Sequence, residues 1–381
     1  MNGKMNHETK HRINQKSNKR IISRVNCEEK SKIKSKISFI LLMSFIMIIT
    51  VSCQESTTMG GLSNTKSSDK VKDDEACISV KGDDYPLIVS DFLKTETIIE
   101  KQFENPAVLS GTPLNIWYDL GGKSVCSSDV SDNIKLVEEC EEEIRNLYQI
   151  GPVYNIDMES VIAAKPDLII GQVGTQSTQC KKLRDMGFDV VLTHIRGFSD
   201  VLDTYRAFGK LLDKSELAEE KIKALVDKKE EIVKKVPEDD LSVVILYVTS
   251  RSLSVKLDNS IAGDVANILK LDNIASDLPP ETIGSESTPL DIEYIVEKNP
   301  DYVLVTSMIS SNEEARQTMN KEFSENPAWK GVKAIEEGRV IYLPQQYFLY
   351  NAGPYYDQAI EYIARGIYPQ IFGKIEGWFN E

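Results

Sequence analysis

Histidine is scarce in this sequence, and the motifs of common hydrolases are missing. Of the 3 histidines, His7 and His11 lie in a Lys- and Arg-rich amino-terminal stretch, so only His194 can serve a globular domain. Carriers of bare zinc or manganese generally need several nitrogen ligands, and the motifs G-x-S-x-G, H-E-x-x-H and the P-loop do not occur. The sequence therefore predicts no catalytic site, no metal site formed by the protein alone and no cofactor.

Cysteine is also sparse and forms no recognisable pattern. Beyond Cys53 the chain has Cys77, Cys126, Cys140 and Cys180, without a C-x-x-C pair or the spacing of zinc ligands. We interpret these four residues as buried or unreactive thiols. The alternative is that two of them form one disulfide.

Positive charge is lacking in the part of the chain that follows residue 52. The first 52 residues hold 11 of the 45 basic and 3 of the 59 acidic residues, which leaves 34 basic against 56 acidic residues and a net charge of −22. Nucleic acids and anionic membrane surfaces attract proteins through basic patches. Neither is therefore expected as a binding partner of this surface.

The amino terminus has the pattern of an export signal. A basic stretch is followed by residues 37–52, which carry no charge, and then by Cys53. These 16 residues fall short of the roughly 20 that a membrane-spanning helix needs, although an uncleaved anchor is the alternative. Residues 49–53 resemble a bacterial lipobox, with Thr50 where Leu is usual. We predict a lipoprotein signal peptide over 1–52, a lipid on Cys53 and a flexible polar tether over 53–80.

The remaining sequence alternates short β-rich runs with helical patterns, which is typical of a parallel α/β fold. A Gly-Thr-Pro turn at 111–113 begins an amphipathic helix that ends before Gly121 and Gly122. Asp213 and Glu216 are predicted to form a capping box at the start of the longest helix. Strands are predicted at 107–110, 124–127, 168–171, 190–193, 302–306, 340–343 and from Leu241 onward, and helices at 111–120, around Cys180, at 198–212 and at 216–236.

One unit of sequence occurs twice. A helix begins with Asp and Glu and leads through a Pro-Asp corner into an apolar strand, and the two copies keep these four residues in register at a separation of 134 residues. The two halves of the chain are therefore predicted to be lobes of similar build. The matched residues are Asp157, Glu159, Pro166 and Asp167 in the first copy and Asp291, Glu293, Pro300 and Asp301 in the second.

These two units, the Gly-Thr-Pro turn, and residues 264–274 and 326–344 together resemble the periplasmic-binding proteins for iron siderophores, haem and cobalamin. The resemblance covers roughly residues 87–372. It implies an α/β fold of two similar lobes bridged by one long backbone helix, with the ligand in the cleft between the lobes. The expected boundaries are 81–213 for the amino-terminal lobe, 214–237 for the backbone helix and 238–381 for the carboxy-terminal lobe.

The same resemblance implies a function. The chain is expected to be an extracytoplasmic solute-binding lipoprotein, anchored to the cell membrane by its lipid. It would capture an iron(III) complex, either a siderophore or haem, and deliver it to an ABC permease dimer with its ATPase subunits. It is expected to be a monomer and not an enzyme. A cobalamin-binding subunit of the same family is the alternative, and a surface-anchored hydrolase and an adhesion lipoprotein are rival classes.

Glu159 and Glu293 occupy matching places in the first turn of the repeated helix. The family uses one acidic residue at this place on each lobe to bind arginine clusters of the permease, through charge-assisted contacts. The resemblance therefore predicts that these two residues dock the protein on its permease. The alternative is that each carboxylate only complements its helix dipole, which contributes about 0.3–1 kcal/mol.

Ligand contacts are predicted in the loops that follow the carboxyl ends of strands, where open α/β sheets bind ligands. Tyrosine offers a flat apolar face or a phenolate for ferric iron, and arginine offers charge for an anionic complex. His194, which ends a strand of the first lobe, is interpreted either as an axial haem ligand or as a structural hydrogen-bonding residue. The predicted contact residues are Thr112, Gln172, Arg196, Tyr247, Arg251, Tyr347 and Tyr350.

Overall fold

The computed structural model describes residues 76–375. The predicted signal peptide, Cys53 and the tether up to residue 75 lie outside the described residues. Within residues 76–375, no helix is both long enough and apolar enough to cross a membrane.

The first lobe contains two small sheets. Its elements are strands β1 (Ser79–Lys81), β2 (Leu87–Ser90), β3 (Glu96–Ile99), β4 (Pro106–Val108), β5 (Leu168–Gln172) and β6 (Val190–Thr193), and helices α1 (Gly111–Asp119), α2 (Glu141–Arg145), α3 (Met158–Ala163), α4 (Ser177–Asp185) and α5 (Phe198–Leu211). Strands β1, β2 and β3 form an antiparallel sheet in that order, which the sequence did not predict. Strands β4, β5 and β6 form the expected parallel sheet.

The chain then passes through one long helix, α6 (Ser215–Val233), into the second lobe. The strands of this lobe are β7 (Ser242–Thr249), β8 (Leu253–Lys256), β9 (Asp272–Asn273), β10 (Ser287–Pro289), β11 (Tyr302–Met308) and β12 (Val340–Tyr342). They form one sheet of order β10–β8–β7–β11–β12, in which β9 also pairs with β7. The neighbours β7, β11 and β12 are parallel, whereas β8 and β10 are antiparallel additions. The helices are α7 (Ile261–Ile268), α8 (Ile292–Lys298), α9 (Asn312–Glu325), α10 (Lys333–Glu336), α11 (Gln345–Phe348), α12 (Tyr356–Ile367) and α13 (Pro369–Phe372).

Helix α6 contacts both lobes. It packs against α5 of the first lobe and against α12 of the second lobe. One side of α6 is apolar and buried, as its helical periodicity predicts. This placement agrees with the expected backbone helix, although the domain boundaries stay a prediction. The buried residues of α6 are Ala218, Ile222, Leu225 and Ile232.

The capping box predicted at the start of α6 does not form. Asp213 has a left-handed backbone (φ 55°), and the residue that precedes the helix, Lys214, makes no side-chain capping bond. The Lys214 amide instead donates to the carbonyl of Gly209 (2.6 Å), and Gly209 packs so closely on Ala218 that an added Cβ would lie 2.4 Å from the Ala218 Cβ. The tight turn between α5 and α6 therefore overrides the local capping pattern.

Residues 124–127, predicted as a strand, do not form one. Val125 donates one backbone hydrogen bond to β4, and Ser127 forms only an isolated bridge. The hydroxyl of Ser124 takes the place of a strand partner, because it accepts the hydrogen bond of the Val108 amide (2.8 Å). The prediction of this strand was wrong.

The repeated unit folds in the same way in both lobes. Lys165 and Asn299, the matching residues before each Pro-Asp corner, both have a left-handed backbone (φ 52° and 44°). The Asp167 carboxylate accepts hydrogen bonds from two amides ahead of β4 (2.6 and 2.9 Å), and the Asp301 carboxylate accepts from the amide and hydroxyl of Ser242 at the start of β7 (2.9 and 2.8 Å). Each corner thus fixes the start of a strand to its parallel neighbour.

The apolar core consists of three clusters. One lies in the first lobe and one in the second, while the largest joins both lobes and includes α6. Strand β7 contributes to two clusters, because successive side chains of a strand point to opposite faces. Val243 and Ile245 belong to the joint cluster, whereas Val244 and Leu246 belong to the cluster of the second lobe.

The four cysteines of residues 76–375 are free thiols. Cys77, Cys126 and Cys180 are buried, and Cys140 is half-buried. Burial raises the pKa of Cys126 and of Cys180 to about 12. These two thiols stay protonated near neutral pH, as expected of unreactive cysteines.

Candidate functional site

Loops of the two lobes meet at the carboxyl ends of the parallel strands. The Thr112 hydroxyl, shortly after β4, donates to the carbonyl of Asn351 (3.2 Å), and the Asn351 side-chain amide donates to the carbonyl of Arg196 after β6 (2.9 Å). The Asn133 side-chain amide donates to Gln345 Oε1 (2.8 Å), which follows β12. Open parallel sheets bind ligands at this edge, so the interlobe cleft is the candidate site.

A carboxylate of the second lobe caps a helix of the first lobe. Asp264 of α7 accepts hydrogen bonds from the Phe198 amide (2.9 Å) and from the Tyr356 hydroxyl (2.6 Å). Phe198 begins α5, and amides in the first turn of a helix have no partner within the helix. The contact therefore fixes the first turn of α5 to the second lobe.

Three charged side chains converge between the lobes. Arg196 Nε of the first lobe lies 3.0 Å from Glu286 Oε1, and Lys256 Nζ lies 3.4 Å from Glu286 Oε2. Arg196 Nη2 also donates to the carbonyl of Gly284 (3.1 Å). We call these three residues, Arg196, Lys256 and Glu286, the charged cluster. It contains two cations and one carboxylate. Neither Lys256 nor Glu286 was predicted from the sequence.

The charged cluster borders a cavity of about 180 Å³. Lys256 Nζ lies 4.2 Å from the centroid of the Tyr247 ring, which is a cation–π contact. The Tyr247 hydroxyl donates to Met308 Sδ (3.2 Å). Ligand sites for whole organic ligands usually measure about 300–1,000 Å³, so this cavity suits one portion of a chelate. The cavity is lined by Tyr247, Lys256, Ser260, Ile261, Ala262, Glu286, Thr306, Phe348 and Leu349.

Burial shifts the ionisation of two residues that line the cavity. Desolvation lowers the pKa of Lys256, and Arg196 lowers it further, while Glu286 opposes the shift. Desolvation also raises the pKa of Tyr247, and the negative charge of Glu286 adds to this effect. A Tyr247 phenolate is therefore disfavoured, so Tyr247 suits ring contact better than coordination of ferric iron.

His194 lies beside the cleft and packs at a tilt against an aromatic ring. Its ring centroid is 4.3 Å from that of Phe92, at an interplanar angle of 51°. Desolvation and Arg196 lower the His194 pKa. The imidazole is thus neutral near pH 7, the state in which it can coordinate a metal. Its side chain makes no hydrogen bond with another residue of the described range, so the structural hydrogen-bonding interpretation gains no support.

Gln172 is the last residue of β5, and Thr112 lies in the first turn of α1, shortly after β4. Thr112 is buried and bonded to Asn351. Gln172 Oε1 accepts a hydrogen bond from the Ser110 hydroxyl, which links the ends of β4 and β5. Both polar groups already have partners, so their contact with a ligand stays a prediction.

Tyr347 and Tyr350 lie closer to the core than predicted. The Tyr347 ring is 8% exposed and packs against Phe348, and its hydroxyl donates to Gln358 Oε1 (2.8 Å). Tyr350 is half-buried against the joint cluster. Phe348, not predicted individually, is the aromatic residue of this run that lines the cavity. The structure therefore favours a packing role for Tyr347.

Arg251, which was predicted as a ligand contact, lies outside the charged cluster. The Thr249 hydroxyl accepts hydrogen bonds from the amides of Arg251 (3.2 Å) and Ser252 (2.9 Å), which closes a tight turn between β7 and β8. The exposed Arg251 then lines a different cavity together with Thr318 and Glu322 of α9. A sequence position after a strand does not fix the side of the sheet to which a turn residue points.

Glu159 and Glu293 have matching surroundings. Both are exposed, and each follows an Asp whose carboxylate accepts a backbone hydrogen bond in the first turn: Asp157 from Glu159 (3.1 Å) and Asp291 from Tyr294 (3.0 Å). Neither glutamate forms an ion pair with any residue among 76–375. Both carboxylates are therefore available for contact with another protein.

No group of three or more His, Cys, Asp or Glu side chains within residues 76–375 is arranged to hold a metal ion.

Comparison with known proteins identifies the family. A family model described as "Periplasmic binding protein" matches residues 107–347, more than half of the chain. The chain belongs to the periplasmic binding protein family. As a periplasmic binding protein, it binds a solute and does not transform it. The predictions of the family, of the two-lobed α/β fold and of a protein that is not an enzyme are confirmed.

Two curated relatives of this periplasmic binding protein come from Bacillus subtilis (strain 168). The "Uncharacterized ABC transporter substrate-binding lipoprotein YvrC" is 23% identical over 297 residues, which cover 76% of this chain and 87% of the relative. The "Fe(3+)-citrate-binding protein YfmC" is 22% identical over 308 residues, which cover 79% of this chain and 86% of the relative.

Solved structures show the same fold. An ABC transporter substrate-binding protein from Listeria monocytogenes EGD-e superposes with a TM-score of 0.61 at 19% identity, covering 70% of this chain and 99% of its own. S. aureus IsdE complexed with heme superposes with a TM-score of 0.60 at 20% identity, with coverage of 70% and 99%.

Proposed function

We propose that this periplasmic binding protein is the extracytoplasmic solute-binding lipoprotein of an ABC importer, and that its solute is an anionic iron(III) complex. The observation that carries the proposal is the convergence of Arg196 and Lys256, from different lobes, on the carboxylate of Glu286, which lines the cavity beside Tyr247. The Fe(3+)-citrate-binding relative supports the same ligand class.

The chemistry of the cavity matches such a complex. Arginine binds carboxylates through paired hydrogen bonds, and contacts with charged groups are stronger than neutral ones. Tyr247 and Phe348 offer flat apolar faces to the organic part of the chelate. Cobalamin offers no carboxylate to the guanidinium, so it fits the charged cluster less well than a carboxylate-bearing siderophore does.

Haem is the second candidate, and the observation that favours it is His194. Its imidazole is half-buried, and burial together with the positive charge of nearby Arg196 lowers its pKa and favours the neutral form. A haem bound there would have an imidazole for its iron and a guanidinium for a propionate.

A ligand panel tests the proposal. We expect the mature protein, with Cys53→Ser for solubility, to bind ferric citrate in isothermal titration calorimetry more tightly than it binds cobalamin. Haem is titrated in parallel by its absorption spectrum, together with a His194→Ala variant. Tighter binding of haem, with a spectrum that changes in His194→Ala, would replace the first candidate by the second. Tightest binding of cobalamin would contradict both.

The membrane anchor is tested separately. Cys53→Ser should release the protein from the membrane fraction into the soluble fraction, because a thioether-linked lipid can form only on the cysteine. Cell fractionation and immunoblotting measure the distribution, and Cys140→Ser serves as a cysteine variant that should stay in the membrane fraction. Retention of Cys53→Ser would indicate that residues 37–52 form an uncleaved anchor.

The proposed partners follow from this function. Binding proteins of ABC importers work with a permease and its ATPase subunits, and the exposed Glu159 and Glu293 are the proposed contacts with a permease dimer. We propose that the protein acts as a monomer. The acidic surface predicted from the composition argues against nucleic acid as a partner.

A further inference from the structure

We propose that Glu286 is an internal competitor of the ligand, whose carboxylate occupies Arg196 and Lys256 until an anionic group of the chelate displaces it. Glu286 would thereby set the preference of the site for the charge of the chelate. This inference rests on the proposed function, because it concerns the same cavity.

The position of Glu286 is that of a bound carboxylate. One oxygen lies 3.0 Å from Arg196 Nε and the other 3.4 Å from Lys256 Nζ, so the group bridges a cation of each lobe. The side chains of Glu286, Arg196 and Lys256 are 29%, 27% and 16% exposed, respectively. A ligand carboxylate that used both cations would need the space that Glu286 fills.

The contact between Glu286 and Arg196 is poorly aligned. Arg196 Nε is buried and has no hydrogen-bond partner, although the carboxylate oxygen lies within ion-pair distance. A buried polar group without a hydrogen bond costs free energy. A ligand group that meets the guanidinium in its plane can make the hydrogen bond that Glu286 does not make, and this gain offsets the loss of the ion pair.

Displacement requires only a side-chain rotation. The Glu286 carbonyl accepts the hydrogen bond of the Leu257 amide (2.9 Å), and Ser287 begins β10 directly afterwards, so the backbone is fixed. Residues 281–284 of the preceding loop are exposed, and Ile283 among them is fully exposed. The Glu286 side chain therefore has solvent beside it into which it can turn.

A purely structural role of Glu286 predicts the opposite result. If the carboxylate served to orient Arg196 and Lys256 for the ligand, its removal would weaken the binding of anionic complexes. If it competes with the ligand, its removal strengthens that binding, because the two cations lose a partner and the site loses a negative charge.

The experiment compares Glu286→Gln with Glu281→Gln. Both changes remove one negative charge from the same loop, but Glu281 is exposed and forms no ion pair within the described part of the chain. Isothermal titration with ferric citrate should show about tenfold tighter binding for Glu286→Gln and unchanged binding for Glu281→Gln. A ferric hydroxamate complex without negative charge should show no gain from Glu286→Gln. Unchanged or weaker binding of ferric citrate to Glu286→Gln would overturn the proposal.

Two further measurements keep the outcomes separate. Circular dichroism checks that Glu286→Gln is folded, and Glu286→Ala provides a second variant that must change the affinity in the same direction. If no iron complex binds the wild type or the variants, the proposed function fails. The competitor role is then decided by metal-free citrate, which must bind Glu286→Gln more tightly than the wild type for the role to stand.

Discussion

Charge reversal of both Glu159 and Glu293 to Lys should abolish uptake of the iron complex while leaving its affinity for the purified protein unchanged. Each exposed carboxylate is expected to meet arginine on the permease, and hydrogen bonds to charged groups contribute about 1.5–3 kcal/mol each. Loss of both contacts, with repulsion added, corresponds to a loss of roughly 100-fold or more in docking. Uptake of radioactive iron by cells and calorimetry on the purified variant measure the two quantities.

A matched variant controls for the change in net charge. Glu142 and Glu281 are also exposed, lie in different lobes and form no ion pair within residues 76–375. The double change Glu142→Lys and Glu281→Lys should therefore retain uptake. Equal loss of uptake in both double variants would assign the effect to net charge, and loss of ligand affinity in the Glu159→Lys and Glu293→Lys variant would place these residues in the ligand site.

The double variant Arg196→Gln and Lys256→Gln should lose affinity for ferric citrate by roughly 100-fold, and each single variant by about tenfold. Each substitution removes a cation and also leaves Glu286 less neutralised beside the ligand. Calorimetric titration measures the loss. The thermal unfolding temperature, measured alongside, separates a binding effect from a folding effect.

Arg251→Gln is the control for this prediction. It removes one positive charge from the same lobe, but Arg251 lies in a different cavity from Lys256. Affinity for ferric citrate should stay within about twofold of the wild type, a difference of about 0.4 kcal/mol. A loss with Arg251→Gln as large as with Arg196→Gln would show that the charged cluster is not the ligand site.

Much of the fold could be predicted because the signals are local or repeated. Short β-rich runs that alternate with helical patterns indicated a parallel sheet, and the two Pro-Asp corners indicated two similar lobes. The structure gives the reason for the repeat. The Asp167 carboxylate accepts the hydrogen bonds of two amides ahead of β4, and the Asp301 carboxylate accepts those of the Ser242 amide and hydroxyl at the start of β7. Because each lobe needs one such aspartate at the same place, the two residues are visible in the sequence as a repeated Pro-Asp pair.

The charged cluster could be predicted only in part because its members come from distant segments. Arg196 follows a strand of the first lobe, as the position of a ligand loop predicts. Lys256 ends β8 and Glu286 directly precedes β10, the two antiparallel strands that extend the second sheet, and no motif marks either residue. Their proximity arises from the pairing of β8 with β10 and from the approach of the lobes. The sequence pattern shows neither which strands pair at this edge of the sheet nor how the two lobes approach each other.

The cap that Asp264 provides for α5 affects how the molecule folds. The first turn of a helix in one half of the chain is completed by a carboxylate from the other half, and the Tyr356 hydroxyl holds the same carboxylate. Neither half can therefore satisfy these buried groups alone: separation within α6 would leave an open helix end on one fragment and a buried charge without its amide partner on the other. The two lobes should consequently fold and melt as a single cooperative unit.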